Sequence, residues 1–250
     1  MDSNILILMI ATFFSGFIDA IVGGGGLISV PTLLALGLPA DRVIASNKMI
    51  GVSTALAGTY KYIKSKIIVW EGLPKLIVFA FAGSILGSYT NSLMSPEFLR
   101  VFIFFTILSL FLYLTFKKEI EFKNLPISRY APIFFPIIIT ALGFYDGFFG
   151  PGTGTFLIMA LLYFQRFSLL QAGATGRVLN LTSNLASILY FSTTGLIDIT
   201  FVLPAMFSSF IGGYCGASYS VRYGSRGIRP LLYFSVTGLL LKLGYDLFLS

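Results

Sequence analysis

The chain has 250 residues, of which 56% are hydrophobic and only 11% charged, with a net charge of +7. A soluble domain carries roughly 45–50% apolar and about 25% charged residues, so this chain has too little polar surface for a water-facing globule, and its solvent is a bilayer. The lack of histidine excludes His-dependent triads and HExxH-type zinc sites, and the single Cys215 excludes an internal disulfide, a metal cluster or a CxxC redox pair.

A spanning helix needs about 20 mainly apolar residues. Runs of that kind lie near residues 5–22, 43–60, 73–92, 98–116, 131–149, 178–193, 199–221 and 228–249. No positively charged leader precedes the first, so it is expected to be a true membrane segment. Two shorter apolar runs, 27–38 and 155–165, follow glycine-rich breaks and read as half-helices. The longest polar stretch, Lys117 to Tyr130, divides the chain.

The two sides of that stretch repeat one another. GFIDAIVGGGG from Gly16 aligns with GFYDGFFGPGT from Gly143, which places Asp19 over Asp146 and Gly23 over Gly150. ASNK from Ala45 lies over ATGR from Ala174, and GSILG from Gly83 over GGYCG from Gly212. Leu99 and Arg100 lie over Ile228 and Arg229.

Short cytoplasmic loops carry excess Lys and Arg. Lys61, Lys64, Lys66 and Lys75 assign one junction to the cytoplasm; Lys117, Lys118, Lys123 and Arg129 assign the central loop; Arg222, Arg226 and Arg229 assign the last. The junctions Asn91 to Glu97 and Thr193 to Thr200 have no Lys or Arg and are placed outside. Corresponding helices then run in opposite directions. The expected fold is all-α: a polytopic integral membrane protein of two inverted repeats, 1–116 and 130–250, joined by a cytoplasmic linker, 117–129. Each repeat has a broken, re-entrant glycine-rich helix plus three further spanning helices.

Inverted repeats with broken helices place substrate sites near the midplane, where half-helix N-termini converge. Here the half-helices open at Gly23, Gly24, Gly25 and Gly26, and at Gly150, Gly152, Thr153 and Gly154. A helix start offers unpaired N–H donors and roughly half a positive charge, so two such ends facing one cavity form an anion cradle. Thr155 adds a second hydroxyl. Lys48 and Arg177, at matched positions expected to begin the next helix, supply a cation from each half. Asn47, Asn180 and Asn184, with Ser53, Thr182 and Ser183, supply polar lining at helical spacing.

Plainer roles compete with these. Gly51, Gly58, Gly83, Gly87, Gly212 and Gly216 suit close helix packing, and Lys48 or Arg177 taken alone would also suit an interfacial anchor. Asp19 and Asp146 suit a structural role, accepting hydrogen bonds from the turn amides; proton coupling is the sharper alternative. Arg100 and Arg229 read as interface anchors. The net charge is mainly a topology signal and does not point to nucleic acid.

The motif GxxDAIVGGGGLIxxP from Gly16 through Pro31, followed by ASN and Lys48, and its repeat GxxDGFFGPGTG from Gly143 with ATGR before Asn180, resembles the sulfite exporter TauE/SafE family of membrane transporters. The resemblance covers nearly the whole chain. It implies a multi-pass protein of a bacterial-type cytoplasmic membrane that moves small sulfur-containing anions such as sulfite, sulfonates or related organic acids. It also implies glycine motifs at the transport pathway. The GGGG of the first copy becomes GPGT in the second, an asymmetry between the two half-helices.

The leading expectation is a secondary transporter working by alternating access, one repeat rocking against the other. Its partners are a small anionic substrate and the lipid bilayer; no cofactor, metal or nucleic acid is implied. An anion channel and a transporter of non-sulfur carboxylates are the alternatives. An intramembrane enzyme is disfavoured, since no nucleophile and base recur together.

Overall fold

The computed structural model describes residues 3–116 and 131–223. Among them are nine α-helices and no strand. The linker 117–129, the helix expected at 228–249 and the charges Arg226 and Arg229 lie outside the described residues.

In chain order the helices are α1 (Ser3–Val22), α2 (Gly26–Ala35), α3 (Ala40–Lys64), α4 (Leu73–Ser92) and α5 (Pro96–Phe116). The second half supplies α6 (Ala131–Phe148), α7 (Thr153–Phe164), α8 (Leu169–Phe191) and α9 (Ile199–Tyr223). Helices α1 and α4 are each 20 residues long and apolar enough to cross a membrane. Large apolar side chains stand exposed along the outside: Leu6, Ile7 and Ile10 on α1, Val78 and Leu86 on α4, Ile133 and Ile137 on α6, Leu203 and Phe207 on α9. Contiguous apolar surface of this extent is foreign to a water-soluble monomer and suits lipid.

The breaks after α1 and α6 fall where the glycines predict. Gly23 has φ +79°, Gly150 φ +103° and Gly152 φ +83°; this left-handed backbone carries a steric cost for any residue with a Cβ. At Gly23, α1 stops, and the chain re-enters a helix at Gly26.

Two helix starts differ from expectation. Helix α3 begins at Ala40 and α8 at Leu169, so Lys48 and Arg177 lie about two turns inside their helices rather than at their beginnings. Ser168 and Gln171 form a reciprocal capping box that fixes the start of α8. The polar residues that follow, Ser46, Asn47, Thr175 and Asn180, are buried, so the helix continues through a stretch whose polarity resembles a loop.

Packing interleaves the halves. Gly83 and Gly87 of α4 lie against the Thr140 and Phe144 carbonyls of α6, while Gly212 and Gly216 of α9 lie against the Phe13 and Phe17 carbonyls of α1. These four glycines therefore do what small residues do in membrane helices, letting backbones touch. Gly51 and Gly58 instead leave room for the side chains of Asn184 and Arg177. Two apolar cores result. One gathers α2, the first half of α3 and α5 around Leu27, Leu33 and Ile103; the other gathers α7, α6 and the first half of α8 around Leu161, Ile139 and Leu179.

Candidate functional site

The two breaks meet. A Cβ on Gly154 would lie 2.5 Å from the Gly23 Cα, and one on Gly26 would lie 2.8 Å from the Pro151 Cα. Only glycine permits this approach of backbone to backbone. The Thr155 hydroxyl donates to the Val22 carbonyl at 2.7 Å, and the Tyr145 hydroxyl donates to the Pro151 carbonyl at 2.7 Å, so each loop tip is fixed from outside.

A small polar cavity of about 30 Å³ lies beside this junction. That is on the order of one water's share of the liquid, so this conformation admits a compact guest at most. Its wall takes Gly23, Gly25 and Gly26 from the first break and Gly150, Gly152 and Gly154 from the second. Asn47 of α3 and Asn180 and Asn184 of α8 also line it, as do Asp19 and Asp146. Gly26 and Gly154 lie in the first turns of α2 and α7, where amides lack an intrahelical acceptor and the macrodipole is positive. Gly24 lies in the break outside the lining, and the Thr153 hydroxyl is turned back onto the Gly150 carbonyl at 2.7 Å.

The charged residues pair across the halves. Lys48 on α3 donates to the Asp146 carboxylate at 3.0 Å and to the Asp146 carbonyl. Arg177 on α8 donates to the Asp19 carboxylate and carbonyl, and to the Asn180 side-chain oxygen at 3.3 Å. The Lys48 and Asp146 side chains are 0% and 2% exposed, and Arg177 and Asp19 are 2% and 15% exposed. Neither cation lines the cavity. Each holds the aspartate of the opposite break, which is a partner of the kind an intramembrane charge needs. Asp19 also accepts from the Gly25 amide at 3.1 Å, the turn contact expected of a structural aspartate.

These pairings orient the amides. Ser29 donates to the Asn47 oxygen at 2.6 Å, while Arg177 occupies the Asn180 oxygen. The NH₂ ends of Asn47 and Asn180 are left for the cavity, where they add donors to those of the helix starts. Asn184 instead donates to the Asn180 carbonyl at 2.7 Å. Sequence reasoning passed over Ser15, Ser29 and Thr54, which also line the cavity. Ser29 lies one helical turn beyond Gly25, and that spacing was the available signal.

The family model described as sulfite exporter TauE/SafE matches residues 8–243. A probable membrane transporter protein of Haemophilus influenzae is 32% identical over 243 residues, covering 96% of this chain and 94% of that protein. A second, ORF9 of Sinorhizobium sp, is 31% identical over 241 residues, covering 96% and 92%. The probable membrane transporter protein YfcA of Escherichia coli K12 is 28% identical over 240 residues, covering 96% and 89%. No solved structure matches the chain. Residues 8–243 span nearly the whole sequence, and the chain belongs to the sulfite exporter TauE/SafE family of membrane transporters.

Proposed function

We propose that this membrane transporter is a multi-pass carrier of the cytoplasmic membrane for small sulfur-containing anions, sulfite and small sulfonates foremost. The anion sits between the starts of α2 and α7, held by first-turn amides at Gly26 and Gly154 and by the Asn47 and Asn180 side-chain amides. One observation carries this reading: two glycine-broken helix starts, one from each half, converge on a single cavity whose wall presents hydrogen-bond donors. Donors preorganised at helix N-termini favour an oxyanion without burying a bare cation. Lys48 and Arg177 act from behind this wall, by holding Asp146 and Asp19.

The repeats 1–116 and 130–250 are inverted in this proposal. The glycine contacts of α1 with α9 and of α4 with α6 bind one half to the other, so alternating access does not proceed by sliding those halves apart. The moving units are the two apolar cores, each carrying one half-helix, and the junction of Gly23 with Gly154 is the barrier between two openings. A small cavity beside a tight barrier favours a carrier over a channel.

The test is binding and flux with purified protein in proteoliposomes, using sulfite, thiosulfate, sulfoacetate, taurine and simple carboxylates. Saturable counterflow of a sulfur oxyanion is the expected result. Steady conductance without saturation would assign a channel, and preference for carboxylates would remove the sulfur class.

A further inference from the structure

The two buried ion pairs occupy matched places in the sequence repeat, yet their chemistry differs. Asp19, Asp146, Lys48 and Arg177 sum to zero charge. A monovalent anion entering the cavity therefore adds a full negative charge to a neutral, low-dielectric interior, met only by the partial charges of the two helix starts and by no mobile counter-charge. A proton taken up with the anion restores the balance, and the surroundings of the two aspartates decide where it goes.

Asp19 has a fixed donor on each oxygen. Its Oδ1 accepts the Gly25 amide at 3.1 Å and its Oδ2 accepts the Arg177 guanidinium. Both donors are permanent, since an arginine does not deprotonate in proteins. A proton on either oxygen would weaken the acceptor of a donor that cannot turn away. Thr54, which the repeat places opposite Ser183, donates to the Ile50 carbonyl at 3.1 Å, within its own helix.

Asp146 differs at one oxygen. Its Oδ1 accepts Lys48 at 3.0 Å, but its Oδ2 faces the Ser183 hydroxyl, which also lies 3.1 Å from the Asn180 carbonyl. A hydroxyl rotates and can donate or accept. With Asp146 ionised, Ser183 donates to Oδ2; with Oδ2 protonated, Ser183 turns to donate to the Asn180 carbonyl and accepts the new O–H. Both states are fully hydrogen-bonded. Lys48 stays anchored on the Asp146 carbonyl in either state. Across the cavity stands Asp19, compensated by Arg177; the Tyr145 hydroxyl is committed to Pro151, α7 carries no charged residue, and the charged residue of α4, Lys75, is at its exposed end.

Resting on the transport reading above, we propose that Asp146, with Lys48 and Ser183, carries the proton that moves with each monovalent anion, while Asp19 with Arg177 is a fixed structural pair. An O–H bond forms on Asp146 Oδ2 with a proton from water on the open side as the anion binds. That bond breaks, and the proton returns to water, when the anion leaves on the opposite side.

The test combines infrared difference spectroscopy with flux, using methanesulfonate, which does not titrate near neutral pH. Purified protein is titrated with and without methanesulfonate, and the carbonyl stretch of a protonated carboxyl is followed. The proposal expects one band whose titration responds to methanesulfonate, lost in Asp146→Asn and kept in Asp19→Asn. Ser183→Ala keeps the ion pair and is expected to displace the midpoint, which gives a second readout should Asp146→Asn fail to fold. In proteoliposomes the unsubstituted protein is expected to accumulate methanesulfonate about tenfold per pH unit of gradient, as one-proton coupling requires. Asp146→Asn is expected to lose this accumulation. No titrating band under either condition, a band lost with Asp19→Asn instead, an unmoved midpoint in Ser183→Ala, or gradient-driven accumulation by Asp146→Asn would each overturn the proposal. Absence of counterflow in the unsubstituted protein would count against the transport reading, and the spectroscopic result would still decide the proton's place.

Discussion

Replacing Gly23 with alanine tests the junction of the two breaks, and a second glycine supplies the control. Gly23 has φ +79°, and a Cβ there would run into the backbone of Gly154 and Thr155, with the Gly154 Cα 2.5 Å away. Left-handed backbone costs a residue with a Cβ roughly 1–2 kcal/mol. Overpacking against a neighbour that cannot yield adds typically 1–3 kcal/mol, and backbone held on both sides by Thr155 and Tyr145 yields little. The expected total for Gly23→Ala is about 2–5 kcal/mol. Gly37 shares the backbone strain, at φ +90°, but nothing lies within 4 Å of its Cβ position, so Gly37→Ala is expected to cost only about 1–2 kcal/mol. Reversible unfolding in mixed micelles measures both, and counterflow in the same preparations reports whether the barrier still closes. Equal losses in the two variants would refute the close contact of the breaks.

Removing one member of the buried Lys48–Asp146 pair leaves a bare charge, so Lys48→Met is expected to destabilise by about 3–5 kcal/mol. The double variant Lys48→Met with Asp146→Leu should recover most of that loss in the same unfolding assay. Ser29→Ala removes the donor that fixes the Asn47 amide; a hydrogen bond of this kind is worth about 0.5–1.5 kcal/mol, so substrate affinity should fall roughly two- to tenfold with folding retained. Gly83→Leu or Gly212→Leu forces apart helices whose backbones touch, and loss of folded protein by size-exclusion chromatography is the expected outcome. Gly195→Leu, with nothing within 4 Å but a φ of +71°, should show only the strain of its backbone.

The breaks, the apolar character and the pairing of glycine motifs were legible because glycine density and helix-length apolar runs are local signals. The start of α8 was not. The stretch 169–177 falls outside the apolar run at 178–193 because its polarity is judged against water, whereas Thr175 and Arg177 are buried inside the fold. The cation positions were legible from the repeat, but their partners were not: Lys48 and Asp146 are 98 residues apart, and Arg177 and Asp19 are 158 apart. Scarcity was the one available clue, since four charges held at depth must find one another. The roles of Ser29 and Ser183 were hidden for another reason. A serine's contribution depends on which of two acceptors its hydroxyl faces, and that is set by neighbouring helices rather than by its own segment.

The central claim is that the cavity between the starts of α2 and α7 binds the transported anion through donors rather than through a bare cation. Equilibrium binding of labelled sulfite to the purified protein and to Asn180→Asp tests it most directly. Asp keeps the size of Asn180 and its oxygen toward Arg177 but replaces the donor facing the cavity with an acceptor. Saturable binding is expected for the unsubstituted protein, with at least about a hundredfold loss in Asn180→Asp, on the order of an unpaired buried polar contact or more. Unchanged binding in a folded Asn180→Asp protein would contradict it.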